Sequence, residues 1–227
     1  MIPIDQIKSS LFECKNKDQT KIILLSTGSY CPIHRMHIDI FDIAKNYLEE
    51  HYETCIVGGY ISPSHDSYVG PKMQEAEFNS IDSKDRIAMT KLAIKESKSD
   101  WIAVSSWEAK QTRFVNFPEV LQYHQKYINH YFPKDNIKIY YLCGLDHVLK
   151  CNSTSRNIPV IGITRKGTRI PKKLGKVIVV PVDLDKYSDF SSTEIRKRIL
   201  LGLDYSMLTY DSVIKYIEDH GIKMIRN

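Results

Sequence analysis

Six apolar runs of strand length, most of them separated by segments with helical spacing, limit what this chain of 227 residues can become. The runs are Ile22 to Leu25, Cys55 to Ile61, Trp101 to Val104, Ile137 to Cys143, Val160 to Ile163 and Val177 to Val182, all rich in β-branched or aromatic residues. Between them, Ile40, Phe41, Ala44 and Leu48 recur at three- and four-residue intervals. Ile87, Ala93 and Ile94 follow a candidate cap at Ser83, and Val120, Leu121, His124 and Ile128 mark a third helix. Strands alternating with helices predict an α/β fold with a parallel sheet covered by helices on both faces. Hydrophobic residues make up 42% of the chain and no Pro-, Gly- or Ser-rich linker divides it, so one domain over 1–227 is expected, ending in a helical segment.

Several classes of protein are disfavoured by what is absent. There is no long apolar span and no charged-then-apolar leader, which predicts a soluble intracellular protein without a membrane partner, in the cytoplasm, with the nucleus left open. Five cysteines, at 14, 31, 55, 143 and 151, are an odd number without C-x-x-C spacing. That argues against a disulfide framework and a zinc knot, and all five are expected to be reduced. The net charge of +5 and pI near 8.8 suit a phosphate-rich ligand. Basic and acidic residues are mixed throughout, so no nucleic-acid partner is indicated.

Parallel sheets bind ligands at the carboxyl ends of their strands, and the motifs fall there. Gly28-Ser29-Tyr30-Cys31-Pro32-Ile33-His34-Arg35-Met36-His37 follows the first run. A glycine at the turn lets the backbone approach a ligand, and His34 and His37 at a helix start can share one face and donate to phosphate oxygens. H-x-x-H alone supplies too few ligands for zinc, and a plain helix-entry pair is the alternative. Ser191-Ser192-Thr193-Glu194-Ile195-Arg196 can form a capping box and can also present amides, hydroxyls and Arg196 to phosphates. Gly144-Leu145-Asp146 ends the fourth run, where it is either a turn or a ligand contact.

The stretch from Gly28 to His37 resembles the G-x-F-x-P-x-H/T-x-x-H signature of the nucleotidyltransferase superfamily, with Met36 where H-x-G-H members carry glycine. Within it the chain is most similar to the nicotinamide-nucleotide adenylyltransferases of eukaryotic type. Ser62-Pro63 with Asp66 and Tyr68, Trp107-Glu108, Gly144-Leu145-Asp146, Thr164-Arg165-Lys166-Gly167 and Ser191 to Arg196 occur in that family's order and span most of the chain. The resemblance implies a Rossmann-like fold and ATP-dependent adenylyl transfer to a pyridine mononucleotide, giving NAD or nicotinic acid adenine dinucleotide and pyrophosphate. Magnesium would be bound mainly through the ATP phosphates, with no metal ligand from the protein.

The same resemblance implies His37, then His34 and Arg196, as catalytic residues. It implies ATP contacts from Gly28, Ser29, Tyr30, His37, Gly144, Asp146, Arg165, Ser192, Thr193 and Arg196. Ser29, Tyr30, Lys72, Trp107 and Phe114 would contact the mononucleotide; for Trp107 core packing, and for Arg165 a solvated loop position, are the alternatives. Family members often self-associate, and oligomeric state is left open here. Two departures bear on the substrate. Phe114 stands where the family has a stacking tryptophan, and Leu149 to Arg156 lacks the aromatic expected after Asp146. A same-fold enzyme for another phosphate ester, or a non-catalytic nucleotide-binding module, therefore stays open.

Overall fold

The computed structural model describes residues 3–14, 16, 18–150, 158–164, 170, 176–182 and 190–224. All six predicted strands are present: β1 (Thr20–Gly28), β2 (Thr54–Pro63), β3 (Ile102–Val104), β4 (Lys138–Gly144), β5 (Val160–Ile163) and β6 (Val177–Val180). They pair in parallel in the order β3-β2-β1-β4-β5-β6. The helices are α1 (Asp5–Glu13), α2 (Arg35–His51), α3 (Asp66–Glu75), α4 (Ser83–Ser97), α5 (Phe117–Tyr131), α6 (Leu145–Lys150), α7 (Ser192–Leu201) and α8 (Asp211–Asp219).

The two-residue period of β1 sorts its side chains between two cores. Ile22 and Leu24 join Phe41, Ala44 and Leu48 of α2, Met89 of α4 and Val213 of α8. Ile23 and Leu25 face the opposite way, onto Ile7 of α1, Val120 and Ile128 of α5 and Val148 of α6. Both faces are thus covered, which is why the strands read as nearly continuous apolar runs. Gly59 serves the first core by omission, since a Cβ there would sit 2.9 Å from Phe41 and 3.0 Å from Trp101.

The strand order reverses direction between β1 and β4, and this positions the functional cleft. Their register runs from Ile22 opposite Lys138 to Leu25 opposite Tyr141 and then stops. Beyond it the ends of the two strands, Ser26 to Gly28 and Leu142 to Gly144, are no longer paired with each other.

Two expectations need correction. Cys14 and Cys55 are joined by a disulfide, with 5.9 Å between their Cα atoms, whereas all five cysteines were expected to be reduced. The cause is tertiary: α1 packs on β2 and brings together residues 41 positions apart. Cys31 and Cys143 are free and buried, and Cys151 lies outside the described residues. Asp82, not Ser83, precedes the first turn of α4, and the Ser83 hydroxyl donates to Asp66 at 2.7 Å. Helix α3 runs through Gly70 and Pro71 and buries Val69 and Met73. Among the described residues no helix is long and apolar enough to cross a membrane.

Candidate active site

A cavity of about 570 Å³ opens above the β1/β4 divergence. That size lies within the range of small-ligand sites. Its floor is the end of β1. A Cβ on Gly28 would approach the Tyr30 ring to 3.2 Å, so the glycine makes room for that ring beneath the cavity. Tyr30 itself has a φ of 44° and anchors its hydroxyl by donating to Ser26 at 3.1 Å. Burial raises its pKa well above the phenol's ordinary value.

Two helices point their amino ends at this space. His34 caps α2 and is buried, and its ring stacks on that of His37 with centroids 3.5 Å apart. The His34 backbone N–H donates to His37 Nδ1 at 3.1 Å. An acceptor at Nδ1 means that the neutral His37 ring carries its proton on Nε2, leaving Nε2–H as the donor. At α7, Ser191 caps the helix by accepting from the Glu194 amide at 3.0 Å. Glu194 does not complete the capping box, because its carboxylate pairs with Arg198 at 2.8 Å. Ser192 donates to the Pro32 carbonyl at 2.8 Å, tying α7 to the loop before α2. The free amides of both helices and their dipoles favour anions.

Cationic side chains reinforce that bias. Arg196 is buried and donates to the Cys31 carbonyl at 2.6 Å and to Thr193 Oγ1 at 3.0 Å, with its guanidinium 4.7 Å from the Phe78 ring centre. Lys72 of α3 donates to Ser29 Oγ at 3.1 Å. Burial, then the nearby Arg196 charge, lower the Lys72 pKa. The opposite wall is Gly144, Asp146 and His147 at the β4–α6 junction. Tyr68 and Phe114 stack at the mouth, with centroids 4.8 Å apart, and are 40% and 37% exposed.

The structure therefore gathers Gly28, Ser29, Tyr30, His34, His37, Lys72, Phe114, Gly144, Asp146, Ser192, Thr193 and Arg196 around one cavity. Trp107 is not among its lining residues. It stacks on Tyr123 with centroids 3.9 Å apart and packs against the α5 side of the sheet, which is the core-packing alternative. Arg165 lies outside the described residues.

Two buried groups that shape the site were missed. Arg86 of α4, with 0% exposure, donates to three carbonyls, Ile81 at 2.9 Å, Ser29 at 2.8 Å and Ser64 at 2.7 Å, and to Asp66 at 2.7 Å. It clamps the loops after β1 and β2 together. In sequence it is one cation among many on a helix, and only tertiary contacts mark it. Glu108, matched above only as half of a W-E pair, is buried at the cavity wall and accepts from Ser62 at 2.8 Å. Burial pushes its pKa up to about 7, against the opposing hydrogen bonds of Ser62 and Ser64 and the Arg86 charge.

A raised carboxyl pKa means that folding favours the neutral form of Glu108. Its stabilising share is complete below the ordinary value of 4.5 and is lost as pH rises through about 7. Glu108→Gln is accordingly expected to gain thermal stability relative to the native protein at pH 8 but not at pH 5. Melting curves at the two pH values check this.

Residues 25–198 match the family described as cytidylyltransferase-like. The chain belongs to that family. Among relatives of this cytidylyltransferase-like protein, the nicotinamide/nicotinic acid mononucleotide adenylyltransferase of Arabidopsis thaliana is 27% identical, over 97% of this chain and 96% of its own length. The nicotinamide-nucleotide adenylyltransferase of Drosophila melanogaster is 28% identical, over 87% of this chain and 60% of its own. A solved structure of Plasmodium falciparum nicotinic acid mononucleotide adenylyltransferase complexed with NaAD shares the fold, with a TM-score of 0.69 at 18% identity over 89% of this chain and 97% of that one.

Proposed function

We propose that the protein is an ATP-dependent adenylyltransferase that joins the adenylyl group of ATP to a pyridine mononucleotide, nicotinamide or nicotinic acid mononucleotide, and releases pyrophosphate. The observation that carries this reading is the convergence of the amino ends of α2 and α7, with His37, Lys72 and Arg196, on one cavity at the strand-order switch. The names of the relatives agree with it.

In this reading the 5′-phosphate of the mononucleotide attacks the α-phosphorus of ATP in line. A phosphate is already nucleophilic, so catalysis consists of positioning and charge stabilisation and needs no covalent enzyme intermediate. His37 donates from Nε2 to the reacting phosphate, with His34 stacked behind it. Arg196, Ser192, Thr193 and the α7 amides hold the β and γ phosphates that leave. Asp146 accepts from ribose hydroxyls beside Gly144. Ser29, Tyr30 and Lys72 line the side of the mononucleotide phosphate. Magnesium, carried on the ATP phosphates, would neutralise their charge. In this reading the metal is held by phosphate oxygens and water rather than by side chains.

In this reading Phe114, which stacks on Tyr68 at the mouth, lies on the pyridine side. Phe114→Ala is expected to raise KM for the mononucleotide by about tenfold or more, the scale of one base-aromatic stack, with KM for ATP nearly unchanged. Equal changes in both constants would return Phe114 to a packing role.

The test of the function is to incubate the purified protein with ATP, magnesium and either mononucleotide and to separate the products. Dinucleotide and pyrophosphate in equal amounts are expected. ATP binding with no product from either substrate would favour the non-catalytic module.

A further inference from the structure

The cavity has a cationic end, built from Lys72, Arg196 and two helix termini, and an aromatic end. At the aromatic end Phe117 and Tyr141 stack with centroids 4.5 Å apart at 12°. His147 meets both edge-on, with centroids 6.0 Å from Phe117 at 70° and 5.9 Å from Tyr141 at 66°, and it too lines the cavity. Cavity-lining imidazoles are three, and His34 and His37 sit at the phosphate end, so His147 is the one that faces the aromatic end among the described residues. Phe117 follows Phe114, which the proposed function lays against the pyridine ring, by three residues, and both line the cavity with His147.

The two candidate substrates differ only in the ring substituent. An amide both donates and accepts hydrogen bonds and is neutral. A carboxylate only accepts and is anionic. A neutral imidazole suits the amide, while an imidazolium gives the carboxylate a charge-assisted hydrogen bond. We propose that His147 reads this substituent, so that the protein accepts the amide mononucleotide when the imidazole is neutral and shifts towards the acid mononucleotide when it is protonated. This deepens the proposed function and rests on it.

The surroundings of His147 set the direction. Burial is the largest influence and lowers its pKa below the ordinary 6.5. The carboxylate of Asp146, its neighbour on α6, pulls the other way, while Lys72 of α3 and Lys150 of α6 add to the lowering. Tyr141 of β4 is uncharged at neutral pH, because burial raises its pKa well above the ordinary phenol value. The imidazole is thus neutral at pH 8 and gains its proton on the acid side of its ordinary range.

The experiment measures kcat/KM for both mononucleotides from pH 8 down to pH 5.5 and takes the ratio of acid to amide. Ionisations of ATP, the shared 5′-phosphate and the rest of the enzyme cancel in that ratio. For the native protein it is expected to rise by about five- to tenfold, the gain of a charge-assisted over a neutral hydrogen bond. In His147→Gln, checked by melting curve, the ratio should stay flat while product still forms. A flat ratio in the native protein, or the same rise in His147→Gln, overturns the role of His147. Product from neither mononucleotide at any pH would instead contradict the proposed function, and the inference with it.

Discussion

His37→Ala is expected to slow dinucleotide formation by about 100- to 1000-fold, the cost of removing one preorganised donor from a developing anion. The expectation follows from the bond that the ring already makes. With Nδ1 accepting from the His34 amide, the proton resides on Nε2 and the ring cannot turn without losing that bond. The loss should fall mainly on kcat, because a donor aimed at charge that develops during transfer contributes little to ground-state binding. His37 is only half-buried, so the variant should still fold. Steady-state kinetics beside a melting curve separate the two effects. A folded variant with near-native kcat would remove His37 from the reaction.

Arg86→Met is expected to cost on the order of 3–5 kcal/mol of stability. Three backbone carbonyls lose their donor at once, and the loops after β1 and β2 lose the group that joins them. The carbonyls dominate this cost rather than the ion pair, because Asp66 is half-exposed. Asp66→Asn should therefore cost about 1 kcal/mol or less. Denaturant unfolding of the two variants decides between the contributions. Comparable losses would show that the ion pair, not the carbonyl clamp, supports the loops. Arg86 also holds the Ser29 carbonyl beside the cavity, so a residual folded fraction of Arg86→Met should turn over slowly.

How far the fold could be read from residues alone follows from the range of each interaction. Strands such as Val160–Ile163 are local signals, because burial on both faces demands an unbroken apolar run. The strand order is not local: nothing within β1 or β4 announces that they are neighbours across more than a hundred residues. Helix α3 was hidden by Gly70 and Pro71, which ordinarily punctuate a chain, while its stability comes from burying Val69 and Met73 and from Asp66 on Arg86. The Cys14–Cys55 bond was hidden for the same reason, since the approach of α1 to β2 creates it.

The site was more legible than the support beneath it. His34, His37, Ser192, Thr193 and Arg196 stand at helix starts, where spacing and cap chemistry speak directly, and the cavity gathers them. Trp107 shows the limit of that logic, because an aromatic beside a motif packs against Tyr123 as readily as it meets a ligand. Glu108 and Arg86 owe their character to burial, and neighbours in sequence do not report burial of a charged residue.

The most direct measurement is a single turnover with ATP labelled at its α-phosphorus, excess protein and a pyridine mononucleotide, quenched over time. Direct transfer predicts that the label passes from ATP to the dinucleotide with none on the protein and none in pyrophosphate. Label trapped on the protein would contradict in-line attack by the substrate phosphate. Label remaining in ATP, with both mononucleotides bound, would contradict adenylyl transfer itself.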